Sequence, residues 1–419
     1  MARTLTPKDA RALLTAVARQ ATGQSSIAVY NSADFVSVGE TVLATGMENV
    51  FSALNTVLAS TIIAVRPYKA QFDLAEVDGG LYGLRKRKIS YYSKDPENAG
   101  DFNTDLFTNF ADGFTAGENL DANGVAQSTK SQWAQNAPMP LEQNFGGASV
   151  WQYNVTIYEE AVKIAFTSEE EFNKFVAGYL QEHANDIEQT KEAWNRMAFA
   201  SKIGQVYDMS ANMSGSVVNL TSAFNTRFGT SYTSAQLRTT YLKEFLAFFV
   251  ATFKETSRMM RNRSTLFHYP ATKTVNGTTY SVLRHTPKER QRAYLYGPLF
   301  TEAEALVLPE IFNDEYLKLD TQAEIADFWQ TPSDGAALKV TPPVLNTSTG
   351  LQEAGTSVDL AYLVGAIMDE DALKTNWILE SARTTPVEAR KGYRNTWNNF
   401  ARNAWVDPTE NCVIFIMAD

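Results

Sequence analysis

The chain has 419 residues, a formal net charge of -10, three histidines and one cysteine. That length suffices for two or more lobes and for burial of about three quarters of the unfolded surface. The lone Cys412 excludes an intrachain disulfide and a cysteine-built zinc site, and the acidic balance argues against a protein whose main task is gripping nucleic-acid phosphates.

From Met1 to Pro7 there is no apolar signal-peptide core, and the greasy run from Phe245 to Phe253 is too short to span a bilayer. A soluble chain made in a cytoplasm is expected. Thr6 and Pro7 suit an N-cap and first turn, followed by a short amphipathic helix through Ala10, Leu13, Leu14 and Val17 that Gly23 ends. A second helix is expected between about Glu40 and Ser60, and the β-branched run Thr61 to Val65 reads as a strand stopped by Pro67.

Residues 71–148 show no sustained helical period and are crowded with Gly, Asn, Asp and Ser. They nonetheless carry Phe102, Leu106, Phe107, Phe110, Phe114, Leu120 and Trp133, which disordered tails lack. Such a segment reads as an arm that becomes ordered on another surface, expected to belong to a neighbouring subunit. Arg85, Lys86, Arg87 and Lys88 are consecutive, whereas seven acidic residues and no basic one lie between Lys94 and Lys130. This segregation favours a head-to-tail contact; a solvated strand edge guarded by its own charges is the alternative. Leu81 to Tyr92 reads as one strand of a ribbon, with Val150 to Thr167 returning as its partner. A lone two-stranded ribbon is marginal in water, so it must pack on something else.

The longest helical pattern runs over residues 168–202, without proline and with Gly178 its only glycine. Ser168 and Glu171 have capping-box spacing. Phe172, Phe175, Val176, Tyr179, Leu180, His183, Ile187, Trp194 and Met197 recur at three- and four-residue steps as one apolar stripe, and the opposite side is polar. At 1.5 Å per residue the rod is about 50 Å long. Residues 207–232 read as a polar connection and a domain boundary. A helix from Ser234 to about Arg261 follows, then a hairpin with Asn276-Gly277 at its turn, a helix from Glu302 to Leu317, strands over Leu338–Pro343 and Asp359–Met368, a helical turn over Asp369–Thr375, and a last strand over Cys412–Met417.

Candidate chemistry is sparse. No two histidines have the spacing of a helical metal pair, and no GxSxG or Walker A pattern occurs. His183, on the rod's stripe, reads as a packed, hydrogen-bonded core histidine. Asp121-Ala122-Asn123-Gly124 lacks the further ligands of a calcium loop and reads as a turn. Asp369, Glu370 and Asp371 are conceivable as a carboxylate pair for hydrolysis, although neighbours in a helical turn point apart and more naturally cap a helix. Seven Trp and eighteen Tyr could line a sugar groove, or form core and interface. A soluble carbohydrate-active or other hydrolase is therefore the competing reading.

The order of features resembles the major capsid proteins of tailed bacteriophages, the Hong Kong 97-like fold family. The stretch Gly79 to Ile89 is similar to the outgoing side of that family's extended loop, and Val364 to Leu373 with Asn411 to Ile416 resembles the end of its coat proteins. The resemblance implies an α+β fold: N-terminal arm and helices (1–66), extended loop (67–152), peripheral domain with the spine helix 168–202 (153–212), axial domain (213–370) and returning strands (371–419). It further implies a non-enzymatic subunit without cofactors, in pentamers and hexamers of an icosahedral or prolate virion shell around double-stranded DNA. A separate scaffolding protein, a portal and a decoration protein are the implied partners, with weak non-specific DNA contact and no membrane. Loop residues expected against a neighbour are Tyr82, Arg85, Lys86, Arg87, Lys88, Phe102, Phe107, Phe110, Phe114 and Trp133; those packing the spine are Phe172, Phe175, Val176, Tyr179, Ile187 and Trp194.

Overall fold

The structure, a computed structural model, describes residues 7–46, 49–50, 53, 71–74, 85–94, 137–147, 149–176, 182–275, 278–299, 301 and 323–419. The expected strand at 61–65, Tyr82, the aromatic anchors from Phe102 to Trp133, the Asp121 turn, Tyr179, the Asn276-Gly277 turn and the helix at 302–317 lie outside the described residues.

Helix α1 (Pro7–Thr22) forms as its periodicity predicts and stops at Gly23, which takes a positive φ of 70°. Helix α2 (Ser32–Ala44) starts earlier than expected, because Asn31 caps it through Asp34 N–H, and ends before Gly46 at φ 96°. Strand β1 (Arg85–Tyr91) pairs antiparallel with β2 (Pro140–Gly146), not with the segment after Val150. Gly147 at φ 101° turns the chain away, and β3 (Ser149–Tyr158) joins a different sheet. The strand expected to reach Thr167 becomes helix α3 (Glu159–Ala165), whose Val162 and Ala165 turn inward one helical step apart while Glu159 and Glu160 occupy the first turn. Helix α4 (Glu169–Val176) begins where Ser168 Oγ accepts the Glu171 N–H at 3.1 Å. Beyond residues 177–181 helix α5 (Glu182–Asp208) runs further than the expected end at Lys202.

The stretch read as a polar connection holds β4 (Val217–Asn219) and α6 (Leu220–Phe228). Two of its residues are caps: Asn219 Oδ1 accepts from Thr221 N–H, and Gly229 closes α6 in the left-handed region. The single helix expected from Ser234 divides at Tyr241 into α7 (Ser234–Thr239), with a Thr233–Gln236 capping box, and α8 (Leu242–Met259). Then come β5 (Thr272–Val275), β6 (Thr278–Ser281), β7 (Gln291–Tyr296), β8 (Ala323–Ala326), β9 (Leu338–Val340), β10 (Pro343–Leu345), β11 (Gln352–Ala354), β12 (Val358–Leu360), β13 (Leu363–Asp369), β14 (Leu373–Thr384), β15 (Tyr393–Val406) and β16 (Cys412–Ile416). The helical turn expected at Asp369–Thr375 is a tight non-helical turn: Ala372 N–H donates to Asp369 O and Asp371 N–H to Asp369 Oδ1, and β14 leaves from Leu373.

Five strands in the order β4-β16-β13-β7-β8 make the central sheet, and β14-β15-β3 make a second. All seven residues of β13 and all five of β16 are buried, so both sheet faces must be covered. Alternation along β16 sends Val413 and Phe415 to one side, against Phe245, Phe249 and Phe253 of α8. Cys412, Ile414 and Ile416 face the other, against Phe199, Ile203 and Val206 of α5. A third core joins α1 to α4, where Phe172 stands edge-on to Phe35 at 5.8 Å and Arg11 pairs with Glu169 at 3.0 Å.

The polar side of the spine is buried, contrary to the single-stripe expectation: Glu192, Asn195, Arg196, Lys202 and Gln205 are all below a tenth exposed, whereas Met197 is 52% exposed. The reason is tertiary. With the second sheet along its first half and the central sheet along its second, α5 has little perimeter left for water, and each inward polar group must find a partner. His183 behaves as expected, buried against the Tyr153 ring with centroids 4.6 Å apart and accepting from Asn398 at 2.6 Å.

Gly204 lies where α5 crosses β9, and a Cβ there would sit 2.6 Å from Val340 Cγ1 and 3.1 Å from Pro342 Cβ. Gly204→Ala should therefore lower the denaturant midpoint: overpacking costs about 1–3 kcal/mol against the ~1 kcal/mol that alanine gains in helix propensity. Burial holds both His183 and His268 below the ordinary 6.5, opposed by Asp186 for His183 and by hydrogen bonds to Val282 and Asn411 for His268. The unfolded chain then binds more protons, so stability should fall as pH drops below 6.5. Each such imidazole contributes a slope of at most about 1.4 kcal/mol per pH unit, and urea titrations of wild type and His268→Asn across that range should differ in slope.

Candidate assembly site: the root of the ribbon

The ribbon β1–β2 is held at its base by charge. Alternation points Lys88 and Ser90 inward and leaves Arg87, Ile89 and Tyr91 outward, while β2 alternates in the same manner. The Lys88 ammonium reaches Asp407 and Glu410 in the loop between β15 and β16, and Thr409 Oγ1 lies 3.4 Å away. Its cross-strand neighbour Gln143 accepts from Thr409 Oγ1 at 3.1 Å. Arg284 completes the enclosure, 3.2 Å from Glu410 and donating to Ser90 Oγ at 2.6 Å and Thr409 O at 3.1 Å. From below, Lys202 of α5 donates to Asp407 O at 2.6 Å. A further strap, Ser93 N–H to Ser281 O at 2.9 Å, ties the ribbon to β6.

Burial and charge compete here. Burial by itself would raise the Asp407 carboxyl, but Lys88 and the Thr409 hydrogen bonds outweigh it and hold the group below its usual value. At Glu410 burial wins over Lys88 and Arg284, and its carboxyl is raised. Lys202, with no exposed surface, is lowered by burial despite Asp407 and Glu410. Lys88 and Arg284 thus enclose the largely buried Asp407 and Glu410 carboxyls, with Lys202 on the main chain beneath them, an arrangement that is costly to break from one side.

The segment that leads toward the ribbon is fastened to the same helix. Phe72 is fully buried between Phe199 and Tyr294, with ring centroids at 5.4 and 5.6 Å, and the Arg196 guanidinium lies 5.0 Å from its ring. Asn195 donates to Phe72 O at 3.1 Å, and Glu192 accepts from Gln71 N–H at 3.1 Å. Both described approaches to the ribbon therefore end on α5.

Of the residues expected to meet a neighbour, Arg85 to Lys88 all lie in β1. Arg87 is exposed and 3.9 Å from Glu142, whereas Lys88 is engaged by its own chain. Among the spine residues, Phe172 and Phe175 pack in the α1–α4 core, Ile187 is half-buried, and Trp194 lies 6.2 Å from Trp151 with the Arg402 guanidinium 5.4 Å from its ring. Val176 is the last residue of α4. Sequence reasoning missed Asp407, Thr409, Glu410, Lys202 and Arg284, because the pairs that matter lie up to 322 positions apart. The Asp-Pro-Thr-Glu-Asn run between two strands was the one available signal.

The carboxylates weighed for hydrolysis are tied up in ion pairs. Arg290 lies 3.7 Å from Asp369 and also pairs with Asp371, Lys374 is 2.5 Å from Asp371, and Arg292 is 3.8 Å from Glu370. Burial would raise Asp371, but Lys374 and Arg290 hold it low, the opposite of a general acid's requirement. A polar cleft of about 620 Å³ beside α6 has Asp419 as the only carboxylate among its lining residues. Among the described residues no cluster of His, Cys, Asp or Glu could hold a metal, and no helix is long and apolar enough to cross a membrane.

This mixed helix-and-sheet architecture, with a charge-anchored ribbon at its side, matches the capsid structure of Staphylococcus phage Andhra with a TM-score of 0.50 at 12% identity over 84% of this chain and 85% of that one. A structure of the head fiber and inner core protein of bacteriophage P68 aligns at 0.47 with 11% identity over 84% and 87%, and the mature capsid of bacteriophage PhiM1 at 0.40 with 7% identity over 83% and 86%. No curated protein matches the sequence. The family model of Phi29-like phage major capsid proteins matches residues 133–416, and the chain belongs to that family. It is a subunit of a bacteriophage shell, and family and fold point to a structural, non-enzymatic role.

Lys88→Met should destabilise the chain by about 3–5 kcal/mol, the usual cost of stranding buried partners of a broken ion pair. Combining it with Asp407→Asn should recover part of that loss in chemical denaturation, and hydrogen exchange should locate the weakening at β1, β2 and residues 407–411.

Proposed function

We propose that this subunit assembles into pentamers and hexamers of a closed shell around double-stranded DNA, with the Hong Kong 97-like division into arm (1–66), extended loop (67–152), peripheral domain (153–212), axial domain (213–370) and returning strands (371–419). The reading is carried by family membership together with a ribbon whose root is locked into its own chain while Arg87, Ile89 and Tyr91 face outward. Ile89 at 49% and Tyr91 at 59% exposed form an apolar pair beside a basic edge, the composition of a contact centre with a charged rim. Closure of a shell needs repeated head-to-tail contacts whose rotation closes, and an extended arm supplies area while tolerating small angular differences. Tyr82, Arg85, Lys86, Phe102, Phe107, Phe110, Phe114 and Trp133 belong to that contact in this reading. A separate scaffolding protein, a portal and a decoration protein are the further partners, and assembly takes place in the host cytoplasm.

Electron microscopy of the chain expressed with its scaffold should show closed particles. Removal of residues 95–130 should leave a folded subunit that fails to assemble, and normal particles from that deletion would contradict the arm's role.

A further inference from the structure

Among the described residues, Arg11, Lys88, Arg196, Arg284, Arg290, Arg292, Lys339 and Lys374 sit in ion pairs. Three arginines cluster at the end of α8. Arg258, Arg261 and Arg263 are exposed, and none of them has an ion pair among the described residues. Arg261 N–H donates to Arg258 O at 3.3 Å and Asn262 N–H to Met259 O at 3.0 Å, so helical geometry continues past Met259 and puts Arg258 and Arg261 on one face. The mount is rigid. Ser264 and Arg284 exchange both backbone hydrogen bonds at 2.9 and 3.1 Å, and Thr286 N–H donates to Met260 O at 2.7 Å. The buried Gln291 amide donates to Ser257 O and Thr286 O, both at 3.0 Å. These bonds bring exposed His285 and Lys288 alongside the arginines. Glu255 and Glu289 are the flanking carboxylates.

We propose that Arg258, Arg261 and Arg263, with Lys288 beside them, contact the phosphate backbone of duplex DNA, which puts the C-terminal end of α8 on the inner face of the shell. The inference rests on the reading above that the particle encloses double-stranded DNA. Guanidinium forks match phosphate oxygens two at a time. A protein partner of useful affinity would want an apolar centre, and among the described residues Met259 is the only large apolar side chain exposed within this patch. A small cluster of exposed arginines on a chain of net charge -10 gives contact that is weak, independent of base sequence and steeply salt-dependent.

The test uses unassembled chain and a fluorescent duplex of random sequence at low ionic strength, comparing wild type with the triple variant Arg258→Gln, Arg261→Gln, Arg263→Gln. Expected is a plot of log K against log salt whose slope shrinks by about 3 in the variant, at roughly 0.9 per lost phosphate contact. An unchanged slope, or no wild-type binding at all, overturns the proposal. Intact wild-type particles should also resist trypsin at these arginines while disrupted particles are cut there; cleavage in intact particles overturns the inward placement. A variant that binds duplex like wild type yet forms no particles assigns the patch to a second copy, which also overturns it. Failure of the wild-type chain itself to form particles would count instead against the shell reading.

Discussion

Helix α5 buries its polar side, and the molecule is organised around satisfying it. Glu192 takes the backbone of Gln71, Asn195 that of Phe72, Arg196 that of Phe328, Lys202 that of Asp407 and Gln205 that of Pro343. Four chain segments remote from the helix are thereby pinned to one rod through their main chains. A buried donor or acceptor left without its partner costs about 1–3 kcal/mol, so each contact resists loss of the segment it holds. Hydrophobic contact alone would not specify where along the rod a segment must lie, whereas a ladder of directional hydrogen bonds does.

The ribbon's attachment follows from the same helix. Lys202 orients the loop that carries Asp407 and Glu410, and those carboxylates in turn receive Lys88 from β1. Strand alternation converts this into a division of labour within a single basic run, in which Lys88 faces the root and Arg87 faces solvent. A two-stranded ribbon has too little of its own to be stable in water. Its root in this chain is stabilised by ionic and hydrogen-bonding partners from three other parts of the fold.

The central sheet contributes the rest of the rigidity a shell wall requires. Its two innermost strands are buried on both faces, with aromatic side chains of α8 on one side and of α5 on the other. The Phe249–Phe415 and Phe72–Phe199 edge-on contacts, at 5.6 and 5.4 Å, show both layers packed through interlocking rings. The ion pairs around Asp369 and Asp371 stiffen the turn by which the chain passes from this sheet to the second one.

Some of this was legible in the amino-acid sequence. Period and caps announced α1, the Ser168 start of α4, the aromatic helix α8 and the hydrophobic strands β13 and β16, because those signals depend on residues within one or two turns. The ribbon's first strand was legible at Leu81 to Tyr92, although its second strand was sought too late in the chain. What the sequence could not convey were facts of coverage and pairing. The long hairpin β14–β15 is rich in Asn and Arg, and its buried Arg402 and Asn403 look solvent-facing until α5 and β3 lie against them. The polar flank of α5 reads as wet for the same reason. Sequence alone determined which segments could be helix, strand or arm through local periodicity and caps. Only the tertiary structure decided that Lys88, Lys202, Arg284, Asp407 and Glu410 converge, because opposite charges hundreds of residues apart acquire meaning once folding removes the water between them.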